Sequence, residues 1–149
     1  MPDTSPYDEL IMEHIKNARH YVVPEGPLQT ATGTNPLCGD EMTLYLALAD
    51  QRIWQVAFQC TCCGISMASA SIMCELLGGR DIAEARPQLQ AFVDTLLEHG
   101  GATLADVTRE QQAILDTVRR FPARARCAAL PWATLRGALD QRSEIILQP

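Results

Sequence analysis

Met42-Thr43-Leu44-Tyr45-Leu46-Ala47-Leu48-Ala49-Asp50-Gln51-Arg52-Ile53-Trp54-Gln55-Val56-Ala57-Phe58-Gln59-Cys60 is the stretch that decides the fold. Apolar Met42, Leu44, Leu46 and Leu48 alternate with Thr43, Tyr45, Ala47 and Ala49, the period of a strand with one buried face. Asp50-Gln51 supplies a turn, and Ile53, Trp54, Val56 and Phe58 resume the apolar run, so an antiparallel hairpin with strands near 42–49 and 52–60 is expected. Downstream, Ile65 to Leu77 is rich in Ala, Ser, Met and Leu and stops at Gly78-Gly79, which reads as a helix with a glycine stop. Its small residues Ala68, Ser69, Ala70 and Ser71 would let it lie close to the sheet.

Outward from this centre the pattern is helical. Tyr7 to about His20 carries Leu10, Ile11, Ile15 and Ala18 at helical spacing. Pro24 to Thr34 reads as a loop leading to Asn35-Pro36-Leu37-Cys38-Gly39-Asp40, which presents a thiol and a carboxylate. After Gly79, Ile82 to Leu97 forms an amphipathic helix with Pro87 as a local defect, stopped by Gly100-Gly101, and Leu104 to Phe121 continues at intervals of three and four. A last helix carries Leu130, Trp132, Leu135 and Leu139 and fades into a tail from Ser143 to Pro149. Pro131 lacks the N–H that would return to the Cys127 carbonyl, so a kink after Cys127 or a separate last helix with Leu130 extended is expected. The order of elements gives an α+β domain spanning residues 1–149: a small antiparallel sheet of about three strands packed against a layer of helices, with flexible N-terminal residues and a C-terminal tail.

The 149 residues carry 12 basic and 18 acidic side chains, a net charge of −6, which opposes binding to a phosphate backbone and argues against a nucleic-acid partner. Apolar runs are interrupted by charge well short of a membrane span, and MPDTSPYDEL has neither the basic nor the apolar region of a secretion signal. A cytoplasmic chain without membrane partners is expected. In that setting the cysteines at 38, 60, 62, 63, 74 and 127 point to metal ligation, thiol chemistry or burial rather than a disulfide scaffold.

Cys38 and Asp40 share one turn, Cys63 lies between a strand and a helix, and Cys127 follows Arg124-Ala125-Arg126. Three thiolates and a carboxylate converging from such ends would suit tetrahedral zinc. The spacing is not that of paired CxxC motifs, so a metal or reactive-thiol site and a mixture of buried and incidental cysteines both remain open.

Three motifs narrow this. Asn35-Pro36-Leu37-Cys38-Gly39-Asp40, Cys63-Gly64-Ile65-Ser66-Met67-Ala68-Ser69-Ala70-Ser71 and Phe121-Pro122-Ala123-Arg124-Ala125-Arg126-Cys127 together resemble the U-type iron-sulfur assembly proteins, from Tyr7 to about Leu139. The long interval from Cys63 to Cys127, and Arg126 where the IscU scaffold branch usually has histidine, make the chain most similar to the SufU branch. The resemblance implies a SufE/NifU-like fold and a zinc site of Cys38, Asp40, Cys63 and Cys127. It also makes Cys38 the acceptor of persulfide sulfur from a PLP-dependent, SufS-like cysteine desulfurase, for passage to downstream iron-sulfur assembly machinery. Any sulfurtransferase activity would then be exercised with that desulfurase. Alternatives are a scaffold for a transient [2Fe-2S] cluster or iron on the same ligands, and a structural zinc protein that recruits partners.

Around these ligands, Arg124 and Arg126 would offset excess negative charge, and Arg126 would help Cys127 or a departing Cys38 stay a thiolate. Cys60 and Cys62 depart from the family pattern; they read as small buried hydrophobes or as a pair able to oxidise to a disulfide. Cys74, eleven residues beyond Cys63, reads as core packing. His14, His20, His99 and Arg19 are assigned to docking or surface structure, and Trp132 to packing.

Overall fold

The computed structural model describes residues 9–26, 28–98, 104 and 106–147. The expected helix start at Tyr7, the Gly100-Gly101 stop, His99 and the two last residues of the tail lie outside this set. The elements in order are α1 (Glu9–Lys16), β1 (Gln29–Asn35), β2 (Asp40–Ala49), β3 (Arg52–Thr61), α2 (Gly64–Leu77), α3 (Ile82–Glu98), α4 (Arg109–Arg120), α5 (Ala125–Leu139) and β4 (Glu144–Ile146). A 3-10 turn, Pro122–Arg124, leads into α5.

The hairpin expected from the alternation is β2–β3. Met42, Leu44 and Leu46 are fully buried on its inner face with Val56 and Phe58, and Leu44 lies opposite Phe58 and Leu46 opposite Val56. Asp50 and Gln51 both take left-handed backbone angles, φ 53° and 63°, and so make the tight reversal. The sheet is larger than the hairpin, with strand order β3-β2-β1-β4. Two segments read as irregular are strands. β1 pairs antiparallel with β2 from Gln29 opposite Leu46 to Asn35 opposite Asp40. β4, in the tail, pairs parallel with β1, so the sheet is mixed rather than purely antiparallel. β1 buries Ala31, Gly33 and Asn35 on its inner face, residues that carry almost no hydrophobic signal. Gly33 is required there by packing, because a Cβ would overlap the Thr134 side chain of α5.

The helices cover one face of this sheet. α5 packs against β1, α2 and α3, and Trp132 is fully buried between them. Its ring meets Phe92 edge-on at 4.5 Å between centroids, and its Nε1–H donates to Ser69 Oγ at 2.7 Å, which satisfies the one polar atom the indole brings inside. α1 ends at Lys16, earlier than expected, with His20 at φ 62° beyond it. His14 is not a surface residue: it is 4% exposed, with Nδ1 2.7 Å from Ser71 Oγ, and burial together with Arg19 lowers its pKa. Arg19 itself bridges Glu13 and Glu75 at 3.3 and 3.2 Å. α4 starts at Arg109 rather than Leu104, because Thr108 and Gln111 form a reciprocal capping box. Among the described residues no helix is long and apolar enough to cross a membrane.

Of the outcomes expected at Pro131, the separate last helix is corrected, while the Cys127 carbonyl does take a side-chain donor. α5 is one helix from Ala125 to Leu139, Leu130 is helical, and Cys127 sits in its first turn with Pro131 in mid-helix. The missing intrahelical bond is replaced from a neighbouring helix, α2. Ser66 Oγ of α2 donates to the Cys127 carbonyl at 2.8 Å, and Ser69 Oγ donates to the Ala128 carbonyl at 2.6 Å. A tertiary hydroxyl thus supplies the donor that proline lacks, and the helix continues.

Candidate metal centre

Asn35 closes β1 and organises the turn that follows. Its carbonyl accepts from Cys38 N–H at 3.3 Å and from Gly39 N–H at 2.9 Å, and Gly39 adopts φ +76°, a left-handed angle suited to glycine. The buried Asn35 side chain accepts from Leu37 N–H at 3.3 Å through Oδ1 and donates to Cys38 Sγ at 3.0 Å through Nδ2. Cys38 is therefore exposed at the turn yet has its sulfur held by an amide.

Asp40, 6% exposed, opens β2. Its Oδ1 accepts from Cys63 N–H at 3.2 Å, and its Oδ2 accepts from Ser66 Oγ at 2.9 Å. Cys63 is the N-cap of α2, where unpaired helical N–H groups favour negative charge, and its Sγ lies 3.6 Å from Ser66 Oγ. Cys127, buried in the first turn of α5, has its Sγ 3.7 Å from that of Cys38. Ser66 is the hub: fully buried, it contacts Asp40, Cys63 and the Cys127 carbonyl, and its one proton is shared between two acceptors.

Cys38, Asp40 and Cys127 place one ligand atom each within 4.8 Å of one another. Two sulfurs bound to a tetrahedral zinc at the usual Zn–S length stand about 3.8 Å apart, close to the separation of Cys38 and Cys127. The three side chains form a cluster suited to zinc or a similar metal. Cys63 stands beside the cluster rather than among those three atoms, joined to it through the bond from its N–H to Asp40 Oδ1. The donated hydrogen bond from Cys127 pushes the Cys63 thiol down to about 6, and Ser66 adds to this against the opposing effect of burial. Cys127 is pushed up for the complementary reason, by its bond to Cys63, by burial and by Cys38.

Arg126, next to Cys127, brings in a further charge. Its Nε is buried and has no hydrogen-bond partner among the described residues. Cys60 and Cys62, outside the cluster, are joined as a disulfide with Cα atoms 5.5 Å apart, the oxidised alternative of the two readings. Cys74 is 1% exposed with its thiol pushed up by burial, in keeping with core packing. Sequence reasoning assigned no role to Ser66 or Asn35. Ser66 lies one helical turn beyond Cys63, and Asn35 sits at the turn position where Asx side chains bond the backbone two residues on, so each had a local signal.

The NifU-like N terminal domain family matches the chain over residues 6–128. The zinc-dependent sulfurtransferase SufU of Bacillus subtilis is 33% identical over 129 residues, covering 87% of this chain and 86% of that protein. The iron-sulfur cluster assembly scaffold protein IscU of Thermotoga maritima is 30% identical over 146 residues, covering 92% and 94%. Among solved structures, a putative iron-sulfur cluster assembly scaffold protein for the SUF system from Fervidobacterium islandicum superposes with a TM-score of 0.76 at 32% identity, covering 87% of this chain and 93% of that one. Shared sequence, shared fold and a cysteine–aspartate cluster at the end of the sheet agree, and the chain belongs to the NifU-like N-terminal domain family, within the IscU, SufU and NifU superfamily of iron-sulfur cluster assembly proteins.

Proposed function

We propose that this chain is a zinc-dependent acceptor of persulfide sulfur, loaded in the cytoplasm by a PLP-dependent cysteine desulfurase and unloaded to downstream iron-sulfur assembly machinery. The observation that carries this reading is the contrast at the cluster: Cys38 is exposed on a turn, while Asp40 and Cys127 are buried behind it. In the proposed ligand set of Cys38, Asp40, Cys63 and Cys127, Cys38 is the exposed member, with Cys63 half-buried beside it. Zinc, when bound, holds these thiols ionised near neutral pH and keeps their arrangement.

The Cys38 thiolate attacks the outer sulfur of the desulfurase persulfide. A bond forms from Cys38 Sγ to that sulfur, the S–S bond of the desulfurase breaks, and its cysteine leaves as a thiolate. The Asn35 amide, donating to Cys38 Sγ, positions the sulfur. Asp40 holds its place through Cys63 N–H and Ser66 without competing as a sulfur acceptor, and Arg126 offsets negative charge as Cys38 exchanges partners.

Cys38→Ser tests this at matched zinc occupancy, with the Cys60–Cys62 disulfide intact. The variant is expected to lose most of the stimulation of cysteine turnover, and wild type after turnover should carry one added sulfur on Cys38 by mass analysis. Full stimulation by zinc-loaded C38S would overturn the acceptor role. A protein that binds zinc but never stimulates a desulfurase would instead be structural, and a labile [2Fe-2S] chromophore after anaerobic isolation would make it a scaffold.

A further inference from the structure

Cys60 and Cys62 take no part in the cluster. Their disulfide spans a two-residue separation at the end of β3, and so short a closure restricts the unfolded chain little, which makes it a weak staple for the fold. Its placement says more. β3 runs antiparallel to β2 with Met42 opposite Cys60 and Glu41 opposite Thr61. Carrying that register one residue on sets Cys62 opposite Asp40, and the bond from Cys63 N–H to Asp40 Oδ1 at 3.2 Å keeps the two chains together there. By strand alternation Cys60 and Cys62 share the face of Asp40 and Met42. Asn35, Asp40 and Cys62 thus form a row across the sheet end, and the row lies at the Cys38–Asp40–Cys127 cluster. Both cysteines of the pair are half-buried, unlike Cys74, and the turn from Pro36 to Gly39 that carries Cys38 is exposed throughout.

A dithiol whose Cys62 adjoins Cys63 and faces Asp40 in register, on the cluster's own side of the sheet, is placed to reduce what Cys38 carries. Building on the acceptor reading above, we propose that Cys60 and Cys62, when reduced, are an internal dithiol that discharges the persulfide of Cys38 as sulfide and ends as the disulfide the structure holds. The Cys62 thiolate attacks the outer sulfur of the Cys38 persulfide; the S–S bond on Cys38 breaks and Cys38 leaves as a thiolate. The Cys60 thiolate then attacks Cys62 Sγ, hydrosulfide leaves, and the Cys60–Cys62 bond closes. The persulfide sulfur gains two electrons and the two thiols lose two; their two protons pass to Cys38 and hydrosulfide. A thiol reductant, small molecule or protein, must reopen the disulfide before the next cycle. This makes the chain a source of sulfide as well as a carrier of sulfane sulfur.

The test uses the full zinc-loaded chain with a purified cysteine desulfurase and one equivalent of L-cysteine per chain, anaerobically and without added thiol. One sample is reduced with a phosphine and desalted; the other keeps the disulfide. The reduced chain is expected to release about one sulfide per chain and to lose two hydrogens from the Cys60–Cys62 peptide, whereas the oxidised chain retains one extra sulfur on Cys38. Cys62→Ser and Cys60→Ser, checked for zinc content and melting, should accept sulfur normally but release roughly tenfold less sulfide. If either variant fails to fold, the reduced and oxidised wild-type samples decide alone. Reduced wild type that keeps the sulfur on Cys38 with both neighbouring thiols intact would overturn the dithiol role and leave the acceptor reading standing, as would undiminished sulfide from C62S. No sulfur on the oxidised chain would overturn both.

Discussion

Ser66 shows how one hydroxyl can hold a site together. It lies behind the cluster, touches Asp40, Cys63 and the Cys127 carbonyl, and exposes nothing to solvent. A carboxylate that has lost such a donor is free to rotate, and the metal then meets a ligand that must first be oriented. Ser66→Ala should therefore weaken zinc binding by roughly tenfold, whereas Asp40→Ala, which removes a proposed ligand outright, should weaken it more. Competition with a chromogenic chelator measures both, and equal zinc affinity in D40A and wild type would remove Asp40 from the ligand set. That Cys38, Asp40 and Cys127 come together was legible through the three motifs that resemble a known family, since cysteine type and spacing alone left incidental burial open. Ser66 was not, since a serine among Ala and Ser of a tightly packed helix reads as a small residue first and a donor second.

Among the elements, α5 depends on its neighbour most directly. Pro131 costs it the bond to the Cys127 carbonyl, and Ser66 of α2 fills that gap, so the proline and the serine are energetically linked across two helices. Replacing Pro131 with Ala returns an N–H to that carbonyl, after which losing the Ser66 hydroxyl leaves no unpaired acceptor there. The destabilisation caused by S66A should accordingly be smaller in a P131A background than in wild type by about 0.5–1 kcal/mol, read from denaturant unfolding of the four proteins in the cycle. Strict additivity would show that the serine and the proline act apart. This compensation also explains why a helix break could be expected at Pro131: the rule for proline is local, and the donor that rescues the helix is sixty-odd residues away in the chain. β1 was missed for a related reason. Its inner face is Ala31, Gly33 and Asn35, and its strand character rests on backbone pairing with β2 and on the space Thr134 occupies, whereas the β2–β3 hairpin announces itself through Leu and Phe. β4 offers only three residues to read, and its partner lies more than a hundred positions upstream.

For the whole molecule, the proposed ligands tie together parts of the chain that fold as different elements: the β1–β2 turn, the first residue of β2, the N-cap of α2 and the first turn of α5. A cation held there joins one end of the sheet to two helices, and the unfolded chain has no preformed site that could hold it comparably. Zinc binding must then stabilise the fold by mass action, by about 4 kcal/mol when free zinc is a thousandfold above its dissociation constant. The metal competes with protons for the thiols, so this increment should shrink as pH falls. Cys63 sets part of the window: with its thiol at about 6 in the metal-free protein it is ionised at pH 7 and protonated below 6, while Cys127, pushed up, must release its proton to the solvent at either pH. The melting temperature should therefore rise on adding zinc at pH 7.5, rise less at pH 5.5, and rise least at both in Asp40→Ala. Thermal unfolding of metal-free and zinc-loaded samples across that range measures this directly, and an increment independent of pH would mean that the bound ion displaces no protons and that the thiols are not its ligands.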